Sequence, residues 1–360
     1  MRPLPETAPV GCPATDLDHT AFQALTTLRR CLPPQAAVSL AVVREDAHAL
    51  QAHGRAAGAA VTPDTAFEIG SVSKTFTALL LAEAIARGEL HYRDPIDALL
   101  PPQHRPVLSH GERITLLHLA THTSGLPRLP PGLLRSALPR WTSNPYEAFT
   151  REDLLTALRR TTVRSRPGSR LRYSNFGVGL LGHLLADAAG FQYPGLLADR
   201  ICAPLGLRGT SCEPNPRSQA VGHAHGRELP PWQIPGLPGA GAIRSTGRDL
   251  ALLLRAYLTA AADPHPNGIP LRTALRDVQR PRVATRRGGD QMGLVWNIRR
   301  IGESDLLFHS GATRGFTAFI GFSPQAGAGL AALTDRAPTL DGRFIQTAYG
   351  QLRALMNSSQ

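Results

Sequence analysis

The sequence predicts an α+β fold in which strands from the two ends of the chain share one sheet around a long, mostly helical insertion. Three observations carry this. A short apolar run, residues 36–43 (AAVSLAVV), and the segment 47–53 that follows it have the length of two paired strands early in the chain. A second group of such runs lies near the other end, at 293–298, 306–310, 316–322 and 329–334. Between the groups, apolar residues recur at helical spacing and are broken by Pro/Gly-rich loops such as 126–131 and 229–238. The expected organisation is a discontinuous sheet domain of residues 1–95 and 288–360, with 96–287 inserted as a mostly helical second domain. A cleft between two such units is a common place for a small-molecule site.

Taken in order, run 36–43 reads as the first strand, pairing with 47–53. Residues 71–87 (SVSKTFTALLLAEAIAR) place Phe76, Leu79, Leu80 and Ala84 close to helical spacing, and Gly88 follows as a stop. Residues 176–189 form another helical pattern, the late strands follow, and a final helix is expected over 342–356.

The first of these helices opens on the most informative residues of the chain. Lys74 is its only lysine; the other 38 of the 39 basic residues are arginine. Arginine cannot release its proton in a protein, whereas a desolvated lysine amine can become a neutral base. A serine hydroxyl is a poor nucleophile until a neighbouring base takes its proton. Residues three apart lie on one helix face, so Lys74 can reach the Ser71 oxygen. Ser71 at the helix N-terminus also meets free N–H groups that favour developing negative charge. Ser71-Val72-Ser73-Lys74 therefore reads as an activated nucleophile.

Two further motifs follow in sequence. Tyr173-Ser174-Asn175 stands just before the helix over 176–189, and His309-Ser310-Gly311 ends a buried strand. Ser-x-x-Lys, Tyr-x-Asn and a late-strand basic residue–x–Gly, in that order, resemble the penicillin-binding protein and serine β-lactamase family. The nearest branch is the class C β-lactamase-like esterases and transacylases. The resemblance spreads over nearly the whole length. It takes in Gly88-Glu89-Leu90 with Asp94-Pro95, residues 114–127 (ITLLHLATHTSGLP), and residues 241–246 (GAIRST) before an Asp-led helix. It implies a β-lactamase/transpeptidase-like fold: an antiparallel sheet of five or more strands flanked by helices, plus the helical second domain.

The resemblance also implies roles. Ser71 attacks an acyl carbonyl and carries the acyl-enzyme. Lys74 and Tyr173 share the proton work, with Tyr173 taking the Ser71 proton and passing it to the leaving group. That requires the Lys74 charge to stabilise a phenolate whose parent phenol titrates near ~10. Asn175 holds the Lys74 ammonium or a substrate amide. The backbone N–H groups of Ser71 and Ala312 form the oxyanion hole, beside Gly311. One departure stands out: lactamases of this family usually carry Lys-Thr-Gly at the third motif, where a lysine anchors a substrate carboxylate. His309 is mostly uncharged near neutral pH, a variant familiar from esterases, D-amino-acid peptidases and acyltransferases of the same fold. Arg314 is the candidate for restoring a positive charge.

The leading expectation is a hydrolase of a small ester, amide or D-amino-acid peptide. The alternative is a transacylase that passes the acyl group to an amine or alcohol. A β-lactamase or D-Ala-D-Ala carboxypeptidase ranks lower, and a non-catalytic binding protein lowest, because a binder has no need of a deprotonatable base. The expected partner is a small-molecule acyl donor, with an amine or alcohol acceptor in the transacylase case. No cofactor and no metal are expected.

Composition narrows the field further. The formal net charge is +12, but the arginines are scattered, the densest group being residues 280–287. No aromatic-interleaved basic face or nucleic-acid motif accompanies them, so nucleic acid is not an expected partner. No apolar run is long enough to span a membrane. Residues 1–20 are Pro-rich and polar with three acidic side chains, and run 36–43 after Arg29-Arg30 is too short for an export signal, which gives a cytoplasmic expectation. Cys12, Cys31, Cys202 and Cys212 lack disulfide-framework or zinc spacing. His118 and His122 are four apart, but no glutamate lies between them, and both are read as structural.

Overall fold

The computed structural model describes residues 13–357 apart from 57, 110, 134–143, 216–217, 263–267 and 286–288. In chain order, the elements that place the site begin with α1 (Pro13–Arg29), β1 (Val38–Arg44), β2 (Ala47–His53), β3 (Ala66–Glu68) and α2 (Ser73–Ala86). The middle of the chain supplies α3 (Asn175–Ala189), α4 (Pro238–Gly241), β4 (Arg244–Thr246), α5 (Gly247–Ala262) and α6 (Pro270–Asp277). The remainder gives β5 (Val283–Ala284), β6 (Gln291–Met292), β7 (Asn297–Ile301), β8 (Ser304–Ala312), β9 (Thr317–Ser323), β10 (Ala328–Thr334) and α7 (Arg343–Asn357).

Strands from both ends form one eight-stranded antiparallel sheet, in the order β5-β6-β7-β8-β9-β10-β1-β2. The first and last long strands are direct neighbours, with Val38 opposite Thr334 and Arg44 opposite Ala328. Side chains alternate between the two faces of a strand, and β1 uses both. Val38, Leu40 and Val42 pack with Leu25 and Leu28 of α1 and Leu352 of α7. Ala37, Ala41 and Val43 join the opposite core, which contains Leu253 and Leu254 of α5. Burial on both faces is why the strand is apolar apart from a buried Ser39 and the terminal Arg44. α5, inside the 96–287 stretch, packs directly on β1 and β10.

α2 is buried along almost its whole length, from Ser73 to Ala84. A helix that is apolar all round belongs inside a core, and this one is enclosed by α3, α4 and α6. Ahead of it, β3 pairs with β4 as a separate two-stranded ribbon, Glu68 opposite Arg244.

The late strands form where the apolar runs predict them, with one correction. The strand expected over 293–298 starts later: Gly293 to Trp296 form a turn, and β7 begins at Asn297. Val295 has φ +55°, and its N–H donates to Ala120 O rather than to a neighbouring strand. A backbone donor committed to a distant loop cannot join a ladder. Part of the 280–287 arginine group and Cys12 lie outside the described residues. Among the described residues, no helix is long and apolar enough to cross a membrane.

Candidate active site

Ser71 lies in a tight 3₁₀ turn, Gly70–Val72, that runs directly into α2. Gly70 has φ +49°, and a Cβ there would sit 2.4 Å from Ala312 O, so only glycine allows this approach. Lys74, one turn further on, is completely buried. Its Nζ donates to Ser71 Oγ at 2.9 Å and to Ala240 O of α4 at 2.7 Å. The Tyr173 hydroxyl reaches the same Ser71 oxygen at 2.8 Å. Lys74 Nζ stands 5.1 Å from the centre of the Tyr173 ring. Three residues separated by up to 102 positions thus converge on one hydroxyl oxygen.

The electrostatics of this trio follow from burial and from mutual contact. Desolvation pushes the Lys74 amine below its ordinary value; the Tyr173 phenol opposes this and the Arg128 charge assists it. For Tyr173, burial alone would raise the phenol. The adjacent Lys74 charge and the hydrogen bonds with Lys74 and Ser71 outweigh it, and the net shift is downward. The two groups approach each other's range, as a shared proton relay requires.

β8 supplies the facing wall. Gly311 is pressed against the nucleophile turn: a Cβ on it would lie 2.0 Å from Ile69 O and 2.9 Å from Ser71 N. The end of β8 and the Gly70–Val72 turn therefore meet backbone to backbone, which brings Ala312 beside Ser71. His309 is buried at 4 % exposure. Its Nδ1 donates to Ser310 O at 2.8 Å, leaving Nε2 as an acceptor. Burial, and secondarily the Lys74 charge, pull its pKa down to about 3, so His309 is a neutral group. Arg314 is half-buried, and its charge reaches the Tyr146 hydroxyl.

Of the two contacts expected of Asn175, the one to Lys74 is not made. The ammonium's described partners are Ser71, Ala240 O and Tyr173, and Asn175 is not among them. Its side chain instead bonds the Tyr146 hydroxyl, and its Oδ1 is buried without a protein partner. Asn175 is the first residue of α3, with its N–H donated to Arg128 O; Ser174 is the cap, accepting from Gly177 N. That backbone anchoring directs the amide towards Tyr146 instead of Lys74.

A profile of the Beta-lactamase family matches residues 29–354. The chain belongs to the Beta-lactamase family. Among curated proteins, it is 28% identical over 284 residues to the D-alanyl-D-alanine-carboxypeptidase/endopeptidase AmpH of Escherichia coli (strain K12), covering 76% of this chain and 72% of the relative. It is 31% identical over 245 residues to a beta-lactamase of the same strain, and 33% identical over 180 residues to one from Pseudomonas fluorescens. Those two matches span 66% and 50% of this chain, and 58% and 46% of the respective relatives.

Within this family frame, several residues join the site that the motifs did not reveal. Tyr146 packs on Trp232, ring centres 5.2 Å apart, and forms an aromatic wall beside Asn175. The Arg128 guanidinium lies 5.4 Å from the Tyr173 ring centre. His122 packs on the Tyr173 ring at 4.6 Å. Its Nδ1 accepts the Ser174 N–H at 3.3 Å, and burial holds it neutral, far below the usual imidazole range. His118 instead closes a capping box on the short helix Leu116–Ala120. Among the described residues, no group of three His, Cys, Asp or Glu side chains comes together as a metal site.

Proposed function

We propose that this protein is a serine hydrolase that opens a small ester, amide or D-amino-acid peptide through an acyl-enzyme on Ser71. The observation that carries the reading is the convergence of a wholly buried Lys74 amine and the Tyr173 hydroxyl on Ser71 Oγ, at 2.9 and 2.8 Å. A lysine kept out of water and given no carboxylate has little structural use and a clear chemical one.

Ser71 Oγ attacks the carbonyl carbon while its proton passes to the Tyr173–Lys74 pair. The carbonyl oxygen becomes an oxyanion facing the N–H groups of Ser71 and Ala312. As the intermediate collapses, the bond to the leaving group breaks, and Tyr173 returns the proton to that group. Water, deprotonated by the same pair, then attacks the ester on Ser71; the acyl–Oγ bond breaks, the acid leaves, and the pair returns the proton to Ser71 Oγ. No further reactant is needed. The neutral His309 supports this substrate range over a β-lactam, since it offers no fixed charge to a carboxylate. The similarity to AmpH, a D-alanyl-D-alanine-carboxypeptidase/endopeptidase, supports a peptide among the substrates. The described cysteines Cys31, Cys202 and Cys212 are free thiols, which suits a reducing, cytoplasmic setting; cell fractionation tests that part.

The test is intact-protein mass after exposure to nitrophenyl esters of acetate and butyrate, with and without an added amine, beside Ser71→Ala. The expected result is an acyl adduct on the wild type only, cleared at the same rate with or without amine. Turnover should fall about 10⁴-fold or more in Ser71→Ala. Faster clearance by amine, with acyl-amide formed, would make the protein a transacylase. Turnover by Ser71→Ala at the wild-type rate would end the acyl-enzyme reading.

A further inference from the structure

One buried ionisable group next to the site takes no part in the chemistry above. Glu68 ends β3, three residues before Ser71, and is 4 % exposed. A carboxylate buried between Phe67 and Ile69 is costly unless donors surround it, and four converge on this one. Oε1 accepts the Trp232 N–H at 2.6 Å and Gln219 Nε2 at 3.4 Å, with Arg244 Nη2 at 3.7 Å. Oε2 accepts the Thr313 hydroxyl at 2.7 Å.

These donors come from segments that build the site. Thr313 directly follows Ala312, and Trp232 is the ring on which Tyr146 packs. Thr313 is itself fixed, its N–H donating to Phe316 O and its hydroxyl accepting the Gly315 N–H. Arg244, the counter-ion, is tied in turn to Gln219 Oε1, Cys212 O, Ala242 O and Trp232 O. The two turns that supply the oxyanion N–H groups otherwise meet through backbone contacts at Gly70 and Gly311. Such contacts set a closest approach but are non-directional. A charged hydrogen bond has a fixed length and direction.

We infer that Glu68 is a positioning residue that fixes the width of the oxyanion hole, by tying the segment of Ala312 to the segment of Ser71 and holding the Tyr146–Trp232 wall to the same anchor. This rests on the acyl-enzyme reading above. Glu68 touches no reacting atom; it acts through Thr313. A misplacement of oxyanion donors lowers transition-state binding while leaving ground-state binding nearly intact.

The test pairs Glu68→Gln with Thr313→Val, using p-nitrophenyl acetate as substrate and phenylboronic acid, which forms a tetrahedral adduct on serine, as the transition-state probe. Glu68→Gln should lower kcat about 100-fold, leave KM within about twofold, and weaken the boronate by the same factor as kcat/KM. Thr313→Val removes one arm of the tie and should show the same pattern at about 10-fold. It decides the matter if Glu68→Gln does not fold. Wild-type kcat in the soluble variants, or a loss of kcat with unchanged boronate affinity, would overturn the inference. Ser71→Ala run alongside separates the two readings: if it turns over normally the acyl-enzyme reading fails, whereas acylatable Ser71 with normal variants sinks only the role of Glu68.

Discussion

Lys74 and Glu68 are both buried charges, six positions apart on the same stretch of chain, and the fold treats them in opposite ways. Glu68 has an arginine, two side-chain donors and a backbone N–H around its carboxylate. Lys74 has a serine, a tyrosine and one carbonyl, and none of the groups acting on its charge is a carboxylate. Both sites pay desolvation. At Glu68 the partners offset part of it, burial still raising the carboxyl above its ordinary value, and the group serves as an anchor. At Lys74 it is left largely uncompensated, so the free energy of the charged form is high and the proton is easily given up. A counter-ion with directed donors marks architecture here, and a charge held by neutral groups alone marks chemistry.

Replacing a buried cation by methionine at each end puts this contrast to its sharpest test. Lys74→Met should lose about 10²–10⁴-fold in kcat/KM for a nitrophenyl ester and yet unfold in urea at a midpoint no lower than wild type, because an uncompensated charge is removed. Arg244→Met should go the other way, losing about 3–5 kcal/mol of stability by the same measurement, because Glu68 is left without its counter-ion. If both variants lose stability alike, the distinction between the two charges collapses.

A smaller effect comes from His309. Burial holds its pKa at about 3 in the folded protein, while the unfolded imidazole titrates near ~6.5. Between those values the unfolded chain binds a proton that the folded chain refuses. Stability therefore rises with pH across that window and falls as pH drops below the unfolded value. His309→Gln should lose about 1–2 kcal/mol less than wild type between pH 7 and pH 5 in urea unfolding. An identical loss in both would mean that His309 is solvated and chargeable.

Much of this was legible in the residues. The paired apolar runs at the two ends gave the sheet because strand burial writes itself locally. Ser71 and Lys74 were legible because their geometry is set by one helical turn, and Tyr173 and His309 through the order of the motifs. Tyr146, Arg128 and His122 were not, because their relation to Ser71 arises only when distant loops pack. Glu68 left a signal that went unused: an acidic residue between Phe67 and Ile69 in a short apolar strand demands a buried partner. The turn at Val295 left none, since nothing in an apolar sequence announces a positive φ enforced by a carbonyl 175 residues away.

The pairing of β1 with β10 also has a consequence in time. Their partners Val38 and Thr334 are separated by most of the chain. At a synthesis rate of about 5–20 residues per second, the ribosome needs roughly fifteen seconds to a minute to pass from one to the other. Throughout that interval β1 can pair with β2 on one edge, but its other edge waits for a strand not yet made. The nascent protein carries an apolar, open-edged hairpin through nearly its whole synthesis. The nucleophile helix, too, is made long before translation delivers the helices that enclose it and the wall that faces Ser71.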